Sequence, residues 1–293
     1  MRYVEPICRP GMCELDSYLL QVTFGCAHNK CTFCSFYKKK PFHIRPFEEI
    51  KEDLRLARQH FSYDPPVFLI DGNTTIYSMD RLRPILQEIQ NVFPNSPHTN
   101  MYARFGDIYH HYSLLDLKEM KSLNVKFLYM GMESGCDIVL TNVNKGMNQN
   151  MIIDASQRIS EAGIGFNSSV IFGLGGKIHS EEHIKESIKV INQTKPSAVS
   201  TTVLCPQKGT PLYDDIIKGT FELPTYRDIL REEYMLLDGL TFKQPIIIWT
   251  GGFLPGDSVI RAEFPKDKEE VLKAVLNRPI VNTMLDRTIR MNG

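Results

Sequence analysis

Six short runs rich in β-branched and aromatic residues, separated by amphipathic stretches, restrict the fold of this chain more than any other feature. The runs are Tyr18–Thr23, Pro66–Ile70, Thr99–Ala103, Phe127–Met130, Gly165–Phe172 and Ala198–Leu204, and each reads as a strand. Between them, Pro46–Gln59, Met79–Phe93, Ser113–Leu123, Asn150–Ala162 and Ser180–Thr194 place apolar residues at helical spacing. Several carry their own punctuation. Pro46 suits a first helical turn, Ser113 with Asp116 reads as a cap, Ser180 precedes two glutamates, and Gly163 can end the helix before it. Strict alternation of this kind favours parallel strands with right-handed crossovers. The expected class is α/β, and a partial (β/α)6 TIM-like barrel fits better than an open doubly wound sheet.

Glycine and polar residues gather immediately after the strands, at Gly25–Cys34, Asp71–Thr75, Arg104–Asp107, Gly131–Gly135, Gly173–Gly176 and Pro206–Pro211. In β/α barrels the carboxyl ends of the strands carry the site, so six loops are expected on one face. Past about Gly219 the rhythm changes to a helix at Tyr226–Leu237, a strand at Pro245–Trp249, a Gly/Pro-rich stretch Gly251–Gly256 and a charged helix at Lys266–Asn277. The expected organisation is therefore a barrel with its N-terminal lead-in over 1–219, and a C-terminal α/β extension over 220–293 that closes or flanks it.

Charge excludes some functions. Thirty-four basic and 34 acidic residues cancel, leaving no global field to hold a polyanion by counterion release, so a nucleic-acid partner is not expected. No apolar run approaches the length of a bilayer span, and Met1–Pro10 lacks the apolar core of a leader, which places the chain in the cytoplasm as an expectation. Seven cysteines in a reducing compartment point to metal or catalysis rather than disulfides.

Three of those cysteines, Cys26, Cys31 and Cys34, fall within nine residues directly after the first strand. Three thiolates can ligate three irons of a [4Fe–4S] cluster and leave the fourth open to a substrate, whereas an electron-transfer cluster normally takes four. Two plainer readings, a zinc site completed by His28 and a chance grouping of buried thiols, are both discounted: zinc ligands usually come as two separated pairs, and His28 lies too close to Cys26 for an uncramped tetrahedron.

A three-cysteine loop after strand one of a β/α chain, with Phe33 immediately before the last cysteine, resembles the radical S-adenosylmethionine superfamily. The usual spacing there is three and two residues; here it is four and two, as in a group of anaerobe Fe–S oxidoreductases. Gly131-Met132-Glu133-Ser134-Gly135 followed by Asn144-Lys145-Gly146 is similar to the branch of oxygen-independent coproporphyrinogen oxidases and radical methylthiotransferases. The resemblance covers about residues 18–215 and implies a set of roles. Cys26, Cys31 and Cys34 would hold the cluster. Asp71-Gly72-Asn73 would meet the ammonium of S-adenosylmethionine, chiefly through backbone. Glu133 would accept from the ribose hydroxyls, and Lys145 would pair with the methionine carboxylate. Phe33, Ile171, Gly173 and Leu204 would lie about the adenine.

Each assignment has a plainer competitor: a solvated loop carboxylate for Glu133, a surface lysine for Lys145, core packing for Phe33. Cys205, a candidate hydrogen donor in catalysis, competes with a small buried residue. Lys38-Lys39-Lys40 with His43 and Arg45 could attract an anion or form a solvated face, and His110-His111 is equally open. Trp249 could contribute to a substrate pocket or simply pack. The implied partners are a small-molecule substrate and a flavodoxin- or ferredoxin-type electron donor, since no second cysteine set provides an auxiliary cluster. A radical enzyme acting on RNA or a peptide, and a non-catalytic cluster protein for electron transfer or sensing, are the alternatives.

Overall fold

The computed structural model describes residues 3–253 and 257–278 and has an α/β architecture with a mostly parallel sheet. Two compact units divide the chain, the first comprising 1–29, 36–130 and 154–166, the second 30–35, 131–153 and 167 onward.

In the first unit the order is β1 (Tyr18–Gln21), β2 (Thr23–Phe24), β3 (His43–Ile44), α1 (Phe47–His60), β4 (Val67–Ile70), α2 (Met79–Val92), β5 (Thr99–Ala103), α3 (Phe105–His111), α4 (Leu114–Ser122) and the body of β6 (Val125–Glu133). Strand β4 pairs in parallel with β1 through Tyr18↔Val67 to Gln21↔Ile70 and with β5 on its other edge, while β5 pairs in parallel with β6. All four residues of β4 are buried, as expected for a parallel strand covered on both faces. Ile7 of the lead-in packs on Phe68 and Ile70, with Leu19, Tyr102 and Tyr129 against them. The lead-in is also fixed by polar contacts. Buried Glu14 accepts from Ser17 Oγ at 2.5 Å, Asn100 Nδ2 at 2.7 Å and Tyr129 Oη at 3.0 Å.

The second unit contains the end of β6, then α5 (Asp137–Asn142), the start of α6 (Gln149–Glu161), most of β7 (Gly165–Phe172), α7 (Ser180–Thr194), β8 (Ala198–Val203), α8 (Pro211–Ile217), α9 (Tyr226–Gly239), β9 (Ile246–Gly251), β10 (Val259–Phe264) and α10 (Lys268–Leu276). Strand β8 lies parallel to β7 and to β9, and β10 returns antiparallel to β9 with Trp249 opposite Arg261.

The six expected strands and five expected helices are all present. Ser113 with Asp116 forms a reciprocal capping box, Pro46 occupies the N-cap position of α1, and Gly163 follows α6 at φ +74°. Three local expectations change. Strand one breaks into β1 and β2. The fourth expected strand, which is β6, runs from Val125 to Glu133 rather than Phe127–Met130, because the burial alternation continues through Met130 and Met132. Ser180 does not cap its helix: it is the first residue of α7, and its hydroxyl donates instead to Glu232 at 2.5 Å. Helices α3, α5 and α8 and strands β3 and β10 were not expected. In the Gly251–Gly256 stretch, residues 254–256 lie outside the described residues, as do 279–293 of the expected extension.

Candidate cofactor site

The first unit places Cys26, Asp71, Gly72 and Asn73 together. Gly72 donates its amide to Gly25 O at 3.1 Å, and a Cβ on Gly72 would stand 2.6 Å from Cys26 Cβ. Only glycine lets the loop after β4 lie against the cysteine loop this closely. Asn73, fully buried, accepts from Ala27 N at 3.1 Å and donates to Asp107 Oδ2 at 2.5 Å. The amide of Asn29, itself at φ +39°, points at Cys26 Sγ from 3.5 Å, the arrangement a thiolate accepts.

Asp71 is fully buried, and its carboxylate is fully occupied by protein donors. Tyr37 Oη donates to Oδ1; Lys40 Nζ at 2.6 Å, Gly25 N at 3.0 Å and Gln21 Nε2 at 3.2 Å donate to Oδ2. Burial, with the Asp71 bond next, pushes the Tyr37 hydroxyl well above the ordinary tyrosine range, so it remains a donor. Lys40 also donates to Val4 O and Pro6 O. The basic segment therefore splits: Lys38 and Lys39 are exposed, whereas Lys40 and Arg45 are buried, Arg45 against Asp53 at 2.8 Å. Neither a solvated face nor an anion attractor describes the last two. His110 and His111 are exposed at the end of α3.

In the second unit the site is built at the ends of β6 and β7. Glu133, the last residue of β6, has left-handed backbone, φ +65°, a conformation that costs a non-glycine residue energy and persists only where surroundings over-determine it. Its Oε1 accepts from Lys145 Nζ at 2.8 Å and its Oε2 from Ser169 Oγ at 2.8 Å. Both charged side chains are mostly buried, 13% and 9% exposed for Glu133 and Lys145. A Cβ on Gly131 would lie 2.1 Å from Glu133 Oε1 and 3.1 Å from Lys145 Nζ, so the glycine makes room for the pair.

Phe33, Ile171 and Leu204 share one apolar cluster with Cys136, Val139, Val143, Leu174 and Leu212. Phe33 and Ile171 are half-buried and Leu204 is buried. Gly173, at φ +82°, donates its amide to Glu232 at 2.6 Å. The segment carrying Cys31 and Cys34 is tied to this unit by Thr32 N to Val143 O at 3.0 Å and Leu212 N to Thr32 O at 3.1 Å. Cys205 is exposed, which removes the reading of a small buried residue; Gln207 Nε2 donates to its sulfur at 3.2 Å. Trp249 is half-buried with the Arg261 guanidinium 5.6 Å over its ring.

Two residues escaped the sequence reading altogether. His183 and Glu232 are buried members of α7 and α9. Burial lowers the His183 imidazole to about 4 and raises the Glu232 carboxyl to about 7, the latter against the pull of Ser180 and the Gly173 amide. Only a His or Glu at a buried helical position could have flagged them, and that signal is common to many cores.

Cys26, Cys31 and Cys34 are partly buried and none is in a disulfide. Among the described residues no three His, Cys, Asp or Glu side chains are placed to hold a metal ion, so the fit rests on the donor set itself. Three unbridged thiols on a glycine-supported loop, one already facing an amide, suit iron–sulfur ligation.

An α/β chain with a three-thiol loop after its first strand and an acid–lysine pair at a later strand end has the layout of an iron–sulfur enzyme that works on a bound nucleoside cofactor. Residues 20–191, more than half of the chain, match the Radical SAM superfamily, and the chain belongs to it. It is an enzyme of that superfamily, whose cofactors are a [4Fe–4S] cluster and S-adenosylmethionine. The chain is 26% identical over 227 residues to a tRNA-2-methylthio-N(6)-dimethylallyladenosine synthase of Marinomonas sp. (strain MWYL1), covering 73% of this chain and 47% of that protein. Among solved structures it resembles methylornithine synthase, at 17% identity and TM-score 0.51, over 76% of this chain and 62% of that one. It also resembles coproporphyrinogen III oxidase from Escherichia coli, at 16% identity and TM-score 0.55, over 76% and 52%. The chain thus spans about half the length of the curated relative it matches. The structural likenesses bear out the α/β fold class with its mostly parallel sheet. No helix among the described residues is long and apolar enough to cross a membrane.

Proposed function

We propose that Cys26, Cys31 and Cys34 hold the cluster, that S-adenosylmethionine binds over it, and that the chain abstracts hydrogen from a small-molecule substrate. When bound, the reduced cluster supplies the electron that splits S-adenosylmethionine into methionine and a 5′-deoxyadenosyl radical. The protein's own residues bind, orient and exclude water. The observation that carries this reading is the Glu133–Lys145–Ser169 arrangement on strained backbone, a polar site too buried and too costly to be an incidental loop. Glu133 takes the ribose hydroxyls in place of Ser169 and Lys145, and the released ammonium takes the methionine carboxylate. Ile171, Leu204 and Phe33 offer the adenine an apolar wall, with Gly173 at its edge.

Gly72 and Asn73 shape the cysteine loop, and Asp71 holds it through Gly25 rather than meeting the cofactor, since its oxygens are taken. Cys205, exposed just past β8, is proposed to give a hydrogen atom to the substrate radical, its sulfur being restored to the thiol by one electron from an external flavodoxin- or ferredoxin-type carrier and one proton from solvent. The electron is supplied by a flavodoxin- or ferredoxin-type carrier in the cytoplasm.

A second reading, modification of RNA, is favoured by one observation, the tRNA-modifying relative. The balanced charge of this chain argues for the small molecule.

Anaerobic reconstitution tests the cofactor assignment. Iron and sulfide near four each per chain, with an electron-paramagnetic signal of the reduced cluster that changes on adding S-adenosylmethionine, is the expected result. Cys26→Ala, Cys31→Ala and Cys34→Ala should each lose it; retention of the full cluster in any one removes that ligand from the set.

A further inference from the structure

Helix α7 holds both strands' ends of the site through one buried imidazole. His183 is fully buried, and both of its ring nitrogens are used. Nε2 lies 3.1 Å from Ile171 O, a carbonyl that can only accept, so Nε2 carries the proton and Nδ1 accepts from Ser134 Oγ at 2.8 Å. Ser134 Oγ in turn accepts from Cys136 N at 3.0 Å. One helical turn later, Ser187 Oγ accepts from Gly135 N at 2.9 Å and donates to His183 O at 2.6 Å. Gly135 lies directly on the helix: a Cβ there would stand 2.5 Å from Glu186 O. At the first turn of α7, Ser180 donates to Glu232 Oε1, whose other oxygen receives the Gly173 amide.

From this geometry we infer that His183 is a positioning residue for S-adenosylmethionine binding, fixing the Glu133–Cys136 turn to the end of β7. The inference rests on the assignment of Glu133 to the ribose. Glu133 sits at φ +65°, and a strained backbone needs rigid neighbours; the residue after it is clamped by the imidazole and the next by Ser187. The same imidazole holds the Ile171 carbonyl beside the apolar wall, so one ring sets the separation of the acid from that wall. The imidazole stays neutral because burial keeps its proton affinity low, leaving one donor and one acceptor for the two partners.

The test uses cluster-loaded protein without reductant, so that binding is read without turnover. Dissociation constants are measured by equilibrium dialysis for S-adenosylmethionine and for its analogue lacking both ribose hydroxyls. Ser134→Ala and His183→Phe should weaken S-adenosylmethionine binding about tenfold, the effect of one buried hydrogen bond. His183→Gln, which keeps a donor and an acceptor, should recover most of it. For the analogue without hydroxyls the losses should disappear. Should His183→Phe fail to fold, Ser134→Ala carries the test with the imidazole in place. Parent-like affinity in variants with normal iron content would overturn the inference, as would equal loss for both ligands, which marks general packing. Glu133→Gln separates the two assignments. If it weakens S-adenosylmethionine binding while the α7 variants do not, only the His183 inference fails; if it has no effect, the ribose assignment fails and takes the inference with it.

Discussion

Asp71 and Glu133 stand just past β4 and at the end of β6, each a carboxylate near a glycine turn with a lysine on it, and they have opposite lives. Asp71 has no exposed surface and four protein donors, one of them the amide of Gly25 in the cysteine loop. Glu133 has a left-handed backbone, some exposure and two side-chain partners that can turn to other acceptors. A saturated carboxylate is a fastener; a strained carboxylate with exchangeable partners is a binding group. Proximity to a strand end does not distinguish the two, and the count and kind of donors does.

The sharpest way to break that contrast is to remove each charge partner in turn. Lys40→Met leaves the Asp71 carboxylate buried with neutral donors, and unfolding in urea should show a loss of about 4 kcal/mol. Lys145→Met leaves the Glu133 carboxylate with the Ser169 hydroxyl and some solvent and should lose only about 1 kcal/mol. Equal losses would put Glu133 among the fasteners.

Next in size is a pH effect in the second unit. Burial raises the Glu232 carboxyl from 4.5 to about 7, so the folded state bears a penalty for its ionisation. That penalty is absent below pH 4.5, grows as pH rises and is complete above about pH 7. Relative to the parent, Glu232→Gln should therefore gain unfolding free energy across this window, by roughly 3 kcal/mol. His183 runs the other way: its imidazole, lowered to about 4 from 6.5, costs nothing above pH 6.5 and destabilises as pH falls toward 4. A flat difference between Glu232→Gln and parent across pH 4.5–7 would show that the carboxyl ionises freely in the fold.

A smaller effect on the fold than that of Glu232 is expected at Gly72. A Cβ there meets Cys26 Cβ at 2.6 Å and Gly25 O at 2.8 Å, both parts of the cysteine loop. Gly72→Ala should lose about 2 kcal/mol of stability and, with it, most of the reconstituted iron. Full iron content would mean that the loop has slack and that the close approach serves packing only.

The strands and helices were legible because parallel β/α chains write their period plainly. The ends were less so. Strand β6 reaches Glu133 through Gly131, and a glycine in a strand reads as a stop until Met132 is seen to be buried beyond it. Short helices such as α5, of six residues, carry too few turns for a periodic signal. At the site, Glu133 and Lys145 were nameable from a motif, and their contact at 2.8 Å then followed from the fold. Asp71, named as a cofactor group, is satisfied by Gln21, Gly25, Tyr37 and Lys40, partners 31 to 50 residues away or spread over two segments, and no local pattern announces them. His183 has the same character. It touches residues 12 and 49 positions off, and only the packed structure reveals that its ring joins them.

The most direct measurement is the appearance of 5′-deoxyadenosine when cluster-loaded protein is mixed anaerobically with dithionite and S-adenosylmethionine, beside a Cys31→Ala control. The account predicts product from the parent and none from the variant; a parent with a full, reducible cluster and bound S-adenosylmethionine that forms no 5′-deoxyadenosine, alone or with candidate substrates, would contradict it.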